Sequence, residues 1–335
     1  MNTSMASSWN EPAVVGALER AGVRRANVKA PAPIPDVNAY LIGEGDVTVL
    51  DTGPLWRDSL EVVTAAVGKG SAVRQVLVTH GHLDHHGQAA ALRAAYGCAV
   101  MAHPFDAFPV KEHTAALVDR FDRWSKAAAA GGAPTVLINA LARRYEFLES
   151  LGADLDAVHL IDEGASIKAG DLTLEVIHVP GHTAGSLAFL DRRHRLLFSG
   201  DTVLSGITPN PFFEGVSDRA SGPAPFLKSV ERLAALPVDL VLPGHGPPVR
   251  DLPTLAAQYA EHHRQRRAAI CDALRAKGPL TPFELVAQLF PGASALDQWL
   301  AVAEVLGHLQ YLEALGEVEP AAADTSAIRY QLVRR

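Results

Sequence analysis

Short β-type hydrophobic runs alternate with stretches of helical spacing through the first hundred residues of the chain. The runs are rich in β-branched residues, and each is followed by turn residues, which is typical of strands. Strands are predicted over 37–42, 47–53, 73–79 and 98–104, with the first two paired. Helices are predicted over 58–67 and 88–96. This alternation favours an α/β fold.

The segment from about 105 to 156 has a different pattern, with alanine-rich and leucine-rich stretches and almost no β-type runs. GGAP, at 131–134, separates two predicted helices. The second helix carries one apolar stripe at helical spacing, formed by Leu137, Leu141, Tyr145 and Leu148. Two compatible interpretations stay open for this insertion. Its stripe packs on the domain below it, or the insertion is a helical lid that shapes a substrate pocket.

Strands return in the next part of the chain and give way to helices beyond Asp251. The later strands are predicted over 172–180, 185–191, 195–201 and 238–244. Beyond Asp251, three helical stretches are followed by GEVE and AIRYQLV, which predict a hairpin. Three helices followed by a small hairpin indicate a winged-helix module. We therefore expect two domains, residues 1–250 and residues 251–335.

Side chains that bind metal ions gather at the ends of these predicted strands. The stretch THGHLDH supplies four of them: His80, His82, Asp84 and His85. Three later strands each end in a glycine followed by one more: His182, Asp201 and His245. Zinc-class ions take imidazole nitrogen and carboxylate oxygen at about 2.0–2.2 Å, so several such groups must converge on one point. Loops at strand ends can bring them there.

Each of these elements is weak alone, because a single histidine after a strand is commonly a solvated loop residue. The complete set, with Asp51 at a further strand end, is hard to obtain by chance. In the first loop, His80 and His82 lie on the same side of an extended segment, and Gly81 lets the backbone bend without a Cβ clash. Three other histidines are interpreted as structural: His86, His103 and His178. No role is assigned to the remaining six: His113, His159, His194, His262, His263 and His308.

With these residues in this order, the chain resembles the metallo-β-lactamase superfamily over roughly residues 30–250. The resemblance implies an αββα sandwich with a metal centre at one edge of the packed sheets. It implies one ion on His80, His82 and His182. It implies a second ion on Asp84, His85 and His245, with Asp201 bridging both. Asp51 would orient the ligands. The expected cofactors are two Zn²⁺ ions, with iron or manganese as alternatives.

The resemblance extends to a branch of the superfamily with a C-terminal winged helix, whose members include thioesterases and RNA-cleaving proteins. It implies a hydrolase in which a metal-bridging hydroxide, aimed by Asp84 as the catalytic residue, attacks a small acyl substrate such as a thioester, lactone or ester. Three alternatives are an endoribonuclease or phosphodiesterase, a mononuclear iron persulfide dioxygenase, and a non-catalytic DNA-binding regulator. The leaving-group acid stays open among Ser205, Thr208 and Asn210.

Composition narrows these alternatives. The chain carries a net charge of −7, and residues 251–335 hold eight Lys and Arg against ten Asp and Glu. This balance is unfavourable for nucleic-acid binding, which depends on cationic contacts with phosphates. We therefore expect a small-molecule acyl substrate as the partner, and the winged helix as a packing or homodimerisation module that walls one side of the pocket.

The remaining expectations concern the location of the protein and its unassigned side chains. No signal peptide or membrane span is indicated, so a cytoplasmic location and no membrane partner are expected. Cys98 and Cys271 lie far apart in sequence and do not suggest a disulfide framework. A core position is expected for five aromatic residues: Phe105, Phe108, Trp124, Phe212 and Phe213.

Overall fold

The computed structural model describes residues 8–206, 208, 209, 211, 221–322 and 327–333. The first sheet has six strands in chain order: β1 (Val23–Val28), β2 (Val37–Ile42), β3 (Asp46–Leu50), β4 (Ala72–Leu77), β5 (Ala99–Ala102) and β6 (His159–Leu160). The second sheet contains β7 (Ser166–Ala169), β8 (Leu172–His178), β9 (Leu187–Asp191), β10 (Leu196–Gly200) and β11 (Leu240–Pro243). Its strand order is β11-β10-β9-β8-β7.

Helices cover the outer faces of both sheets and continue beyond them. The helices up to residue 149 are α1 (Pro12–Arg20), α2 (Ser59–Val67), α3 (Leu83–His86), α4 (Ala89–Tyr96), α5 (Ala107–Lys111), α6 (His113–Ala130) and α7 (Thr135–Glu149). The later helices are α8 (Pro223–Ala234), α9 (Leu252–Lys277), α10 (Pro282–Leu289) and α11 (Ala295–Ala314). A two-stranded sheet follows, made of β12 (Val318–Pro320) and β13 (Tyr330–Leu332).

The alternation of side chains along β2 explains why the two sheets pack face to face. All six residues of β2 are buried, because both faces of the strand are covered. Tyr40 and Ile42 lie in the core between the two sheets, whereas Ala39 and Leu41 face the cluster that includes α2 and α4. The outer face of the second sheet packs on α8 and the first part of α9. The predicted αββα sandwich is therefore confirmed.

Several strands of both sheets have their carboxyl ends at the same edge of the sandwich. β3, β4 and β5 are parallel, so their carboxyl ends share one edge of the first sheet. β8 and β10 each run antiparallel to β9, and β10 runs parallel to β11, so these three strands end together as well. Tyr40 Oη and Asn38 Nδ2 both donate to the Pro243 carbonyl, at 2.7 and 2.9 Å, and so tie the two sheets together there.

The predicted insertion forms α6 and α7, and the four residues of its stripe are all buried. Their packing partners include residues outside the sandwich. Leu141, Tyr145 and Leu148 share one hydrophobic cluster with residues of α9, α10 and α11, such as Leu274 and Val305. The insertion and the C-terminal helices therefore form one core between them.

The expected core position is wrong for two aromatic residues. Phe105 is 62% exposed because Asp106 is the buried residue of its turn, and Phe108 is 48% exposed because Val110 is the buried residue of α5. Trp124 is buried as expected. Asn210, Phe212 and Phe213 lie outside the described residues. Within the described part of the chain, no helix is both long and apolar enough to cross a membrane.

A buried imidazole pair joins α9 to α11. His263 Nδ1 lies 3.2 Å from His308 Nε2. Within the described residues, the other ring nitrogen of each histidine has no hydrogen-bond partner. Burial lowers the pKa of His263 to about 3 and the pKa of His308 to about 2. Both rings are therefore neutral at pH 7.

We expect the free energy of unfolding to fall as the pH drops below about 6.5, the ordinary histidine pKa. In that range the unfolded chain binds a proton at each of these positions and the folded chain does not. Each ring therefore costs about 1.4 kcal/mol of stability per pH unit until its folded pKa is reached. Urea unfolding between pH 6.5 and 4.5 should show a shallower pH dependence for His308→Leu. The exposed control His159→Leu should match the wild type. Equal slopes for all three proteins would contradict this account.

Candidate metal centre

The first group of predicted ligands meets at the carboxyl ends of β4 and β8. His82 Nδ1 lies 3.0 Å from His80 Nε2 and 3.0 Å from His182 Nε2. A ring nitrogen carries at most one hydrogen, so His82 Nδ1 cannot donate to both neighbours. The three nitrogens therefore converge on one point, as ligands of a cation do.

The second group meets at the ends of β4 and β11, where the short helix α3 carries two of its members. His245 Nε2 lies 3.3 Å from Asp84 Oδ2 and 3.3 Å from His85 Nε2. Asp201, directly after β10, lies beside both groups. Its Oδ2 is 3.3 Å from His245 Nε2 and 3.7 Å from His182 Nε2. The structure thus brings together all seven side chains that the sequence analysis selected.

Hydrogen bonds donated by Nδ1 orient three of the histidine rings. His85 Nδ1 donates to Asp51 Oδ2 at 2.8 Å, and His245 Nδ1 donates to the Asp36 carbonyl at 3.0 Å. Thr79 Oγ1 donates to Asp51 Oδ2 at 2.8 Å, so His80 Nδ1, 3.0 Å away, is the donor to this hydroxyl. Each ring is left with Nε2 facing the centre, which is how protein metal ligands are commonly held.

The charges around the centre divide it into two halves. Burial lowers the pKa of His80 and His82 well below the ordinary value, so these rings are neutral. Burial acts in the same direction on His85 and His245. The nearby carboxylates, that of Asp201 first, outweigh it and raise both pKa values, to about 10 for His245. Positive charge is therefore stabilised on the carboxylate side.

These observations fit a pair of divalent cations. The donor set consists of imidazole nitrogen and carboxylate oxygen, and it falls into groups whose ligand atoms lie within 4.8 Å of one another. Ligands at about 2.0–2.1 Å around a tetrahedral ion lie about 3.3 Å apart, close to the distances in both groups. Within the described residues, buried Asp201 Oδ1 has no hydrogen-bond partner. A Cβ on Gly244 would lie 2.5 Å from this oxygen, so glycine keeps the space beside it open.

Asp106 is a member of the site that the sequence analysis missed. It lies in a short 3₁₀ turn just after β5, and its side chain is buried. Its carboxylate accepts hydrogen bonds from Gly81 N at 2.7 Å, Thr183 Oγ1 at 2.6 Å and Gly185 N at 3.0 Å. Asp106 therefore fixes the loop that carries His80 and His82 against the loop that carries His182. Its position shortly after a strand end was the signal that could have identified it.

A cavity of about 340 Å³ opens onto the centre. His82, Asp84 and Asp201 form part of its floor. Its walls are largely apolar, and the insertion and α11 supply six of the apolar residues: Leu117, Trp124, Tyr145, Leu148, Trp299 and Leu300. Two arginines, Arg120 and Arg144, also line it. The insertion therefore both packs on its neighbours and shapes a pocket, as the two compatible interpretations allowed.

Another set of side chains, His103, Asp162 and His178, also offers ligand atoms within 4.8 Å of one another. The rings of the two histidines are stacked, with centroids 4.1 Å apart and planes inclined by 12°. Nitrogen lone pairs lie in the ring plane, so stacked rings direct them side by side and not toward one ion. His178 Nε2 also donates to the Ala184 carbonyl at 2.8 Å. We therefore interpret this set as structural.

Several relatives resemble the chain in sequence. "Probable metallo-hydrolase YqjP" of Bacillus subtilis is 28% identical over 298 residues, which cover 86% of this chain and 91% of the relative. "Hydroxyacylglutathione hydrolase" of Aeromonas hydrophila is 33% identical over 56% of this chain and 72% of the relative. "Acyl-coenzyme A thioesterase MBLAC2" of Gallus gallus is 41% identical over only 26% of this chain and 30% of the relative.

Solved structures and a family profile give the same classification. A metallo-beta-lactamase family protein, TTHA1429 from Thermus thermophilus, is 26% identical with a TM-score of 0.78, over 93% of this chain and 99% of that one. A beta-lactamase domain protein from Burkholderia ambifaria is 27% identical with a TM-score of 0.80, over 93% and 92%. Residues 33–245 match the family profile "Metallo-beta-lactamase superfamily". With the sandwich and the clustered histidines and carboxylates already described, this match shows that the chain belongs to the metallo-beta-lactamase superfamily.

Proposed function

We propose that this metal-dependent hydrolase cleaves small acyl thioesters, with two Zn²⁺ ions at the centre. The observation that carries the proposal is the assembly of two complete ligand groups with Asp201 beside both, at the floor of a largely apolar cavity. When bound, the two ions would supply a hydroxide nucleophile at neutral pH and stabilise the negative charge that develops on the carbonyl oxygen.

The chain's own residues have separate tasks in this proposal. His80, His82 and His182 would hold one ion, Asp84, His85 and His245 would hold the other, and Asp201 would contact both. Asp84 lies at the cavity face with 15% of its side chain exposed. Burial alone would raise its pKa, but the neighbouring His85 and His245 hold that pKa well below the ordinary value. The ionised Asp84 carboxylate is thus an acceptor that orients the attacking water.

The choice of an acyl substrate follows from the cavity and from the relatives. A volume of about 340 Å³ is in the range of small-molecule sites, and mainly apolar walls with a polar floor suit an acyl chain that ends in a reactive carbonyl. Two relatives bear the names hydroxyacylglutathione hydrolase and acyl-coenzyme A thioesterase.

The candidate leaving-group acids differ in their positions. Ser205 Oγ donates to the Pro247 carbonyl at 3.1 Å, whereas Thr208 lines the cavity. Thr208 is therefore the better placed of the two to act on a leaving group.

The ribonuclease alternative has little support in the C-terminal region. Its cationic cluster lies on α9, where the side chains already have partners. Arg264 pairs with Glu261, and Arg266 Nε donates to Glu304 Oε1 at 2.6 Å. Arg267 lies over the ring of Tyr311, 4.7 Å from its centroid. These contacts leave little of the cluster for phosphate groups.

The dioxygenase and regulator alternatives are disfavoured by the second ligand group. A mononuclear iron enzyme needs one set of ligands, whereas Asp84, His85 and His245 supply another. A regulator without catalysis has no need to keep either group. Metal analysis with one iron per chain would favour the dioxygenase.

The C-terminal region also has a proposed architecture and a proposed role. We propose that α9 to α11 with β12 and β13 form a winged-helix-like module. Trp299 and Leu300 of this module line the cavity, so it acts as a wall of the pocket and a packing partner of the insertion. A cytoplasmic location and a homodimer stay predictions.

An initial-rate comparison tests the proposed function. The zinc-loaded protein is given a pentanoyl thioester of N-acetylcysteamine, an acyl-homoserine lactone, and a single-stranded RNA, with Asp84→Ala as the blank for each. We expect turnover of the thioester that disappears in the blank. RNA cleavage that disappears in the blank, with the acyl substrates untouched, would overturn the proposal.

A further inference from the structure

The wall of the cavity contains a guanidinium group, that of Arg144, for which the described residues provide no counter-ion. Arg144, on α7, lines the cavity together with apolar side chains such as Tyr145 and Leu148. Within the described residues, Arg144 makes no ion pair, and its buried Nε has no hydrogen-bond partner. Burial lowers the pKa of Arg144, while Tyr145 acts in the opposite direction. A partly desolvated cation without a counter-ion carries a free-energy cost that a bound anion would offset.

Two neighbouring arginines of the insertion, Arg123 and Arg143, are more exposed to solvent than Arg144. Arg123, on α6, is exposed and pairs with Asp119 at 2.7 Å. Arg143, next to Arg144 on the same helix, is exposed to solvent and is not part of the cavity lining. Arg120 lines the same cavity and adds a second positive charge to it. The insertion therefore places two guanidinium groups in the lining of the cavity that opens onto the metal centre.

We propose that the thioester substrate is an anion, with a carboxylate or phosphate group that pairs with Arg144 while its carbonyl lies at the metal centre. This inference rests on the proposed function and specifies its substrate class. The charge belongs either to the far end of the acyl chain or to the carrier that bears the thiol. A guanidinium group binds either oxyanion through two parallel hydrogen bonds, which lysine does not reproduce.

Three matched probes separate these two sources of charge. Pentanoyl N-acetylcysteamine is neutral, glutaryl N-acetylcysteamine carries a carboxylate on the acyl chain, and pentanoyl-phosphopantetheine carries a phosphate on the carrier. We expect the wild type to favour one charged probe over the neutral probe by at least tenfold in kcat/KM. A preference for the glutaryl probe assigns the charge to the acyl chain, and a preference for the phosphopantetheine probe assigns it to the carrier.

Arg144→Met tests whether this residue causes the preference. The charged-to-neutral ratio of kcat/KM should fall tenfold or more, mainly through KM, and Arg144→Lys should recover only part of it. Arg143→Met is the matched control, with the same charge change one residue away, and it should keep the wild-type ratio. Either the absence of any preference in the wild type or an equal ratio in Arg144→Met and the wild type would overturn the inference.

A binding measurement separates failure of this inference from failure of the proposed function. The thioethers S-pentyl N-acetylcysteamine, S-(4-carboxybutyl) N-acetylcysteamine and S-pentyl-phosphopantetheine cannot be hydrolysed, so calorimetry with the full chain reports binding alone. One charged thioether should bind the wild type at least tenfold more tightly than it binds Arg144→Met, even if no thioester is turned over. Equal affinities for all three thioethers in both proteins would refute the anion site, whatever the activity.

Discussion

Asp84→Ala should abolish hydrolysis while the chain stays folded. Asp84 Oδ2 lies 3.3 Å from His245 Nε2 and 3.8 Å from His85 Nε2, so its loss breaks the second ligand group and removes the acceptor for the attacking water. Metal-assisted hydrolysis draws several kcal/mol of transition-state stabilisation from such a centre. Each 1.36 kcal/mol is a tenfold change in rate, so kcat/KM should fall by about a thousandfold or more.

Two controls separate loss of chemistry from loss of fold. The side chain of Asp84 lies at the cavity face, so the circular dichroism spectrum of Asp84→Ala should stay that of the folded wild type. Asp171→Ala removes an exposed carboxylate far from the cavity lining and should keep full activity. If Asp84→Ala turned over the thioester at a rate near that of the wild type, the assignment of the site would be wrong.

Asp106→Ala should weaken both the fold and metal binding. It leaves Gly81 N and Gly185 N without their acceptor in a buried place, and each unpaired buried donor costs about 1–3 kcal/mol. We therefore expect a loss of about 3 kcal/mol in the free energy of unfolding. Groups that orient metal ligands commonly contribute 10–100-fold to metal affinity, so zinc affinity should fall by about this factor.

Denaturant unfolding and competition with a zinc chelator measure the two effects of Asp106→Ala. Asp106→Asn keeps one acceptor oxygen and should recover part of the free energy of unfolding and part of the zinc affinity. Asp154→Ala is the control, because Asp154 Oδ1 also accepts from a backbone amide, Thr114 N at 3.2 Å, but on the exposed surface. It should leave zinc affinity unchanged. Unchanged zinc affinity in Asp106→Ala would mean that Asp106 does not position the ligands.

The strand-end argument predicted the seven side chains because parallel strands that end at one edge leave their following residues close together. The hydrophobic runs identified β2, β3, β4, β8, β9, β10 and β11, which carry most of the site. Three strands escaped prediction for a local reason. β1 contains two arginines and an asparagine, β6 has only two residues and β7 has only four, so none of them has a hydrophobic run.

Other features depend on contacts between distant parts of the chain and leave no local pattern. The position of Asp106 just after a strand end marks it as a candidate, but nothing near residue 106 indicates that its carboxylate accepts hydrogen bonds from Gly81 N and Thr183 Oγ1. Arg144 has the sequence context of a solvent-exposed helix residue. The shared core of the insertion and the C-terminal helices was also unforeseen. Deletion of residues 110–150 would open that core, so single substitutions are the better test of the insertion's role.

A metal titration tests the central claim most directly. The protein is freed of metal with a chelator, and zinc is then added back while bound zinc and turnover of the best thioester probe are measured together. We expect activity to rise with bound zinc and to reach its maximum at two zinc ions per chain, with Asp84→Ala inactive throughout. Full activity at one ion per chain, or thioester hydrolysis that does not depend on added metal, would contradict the account.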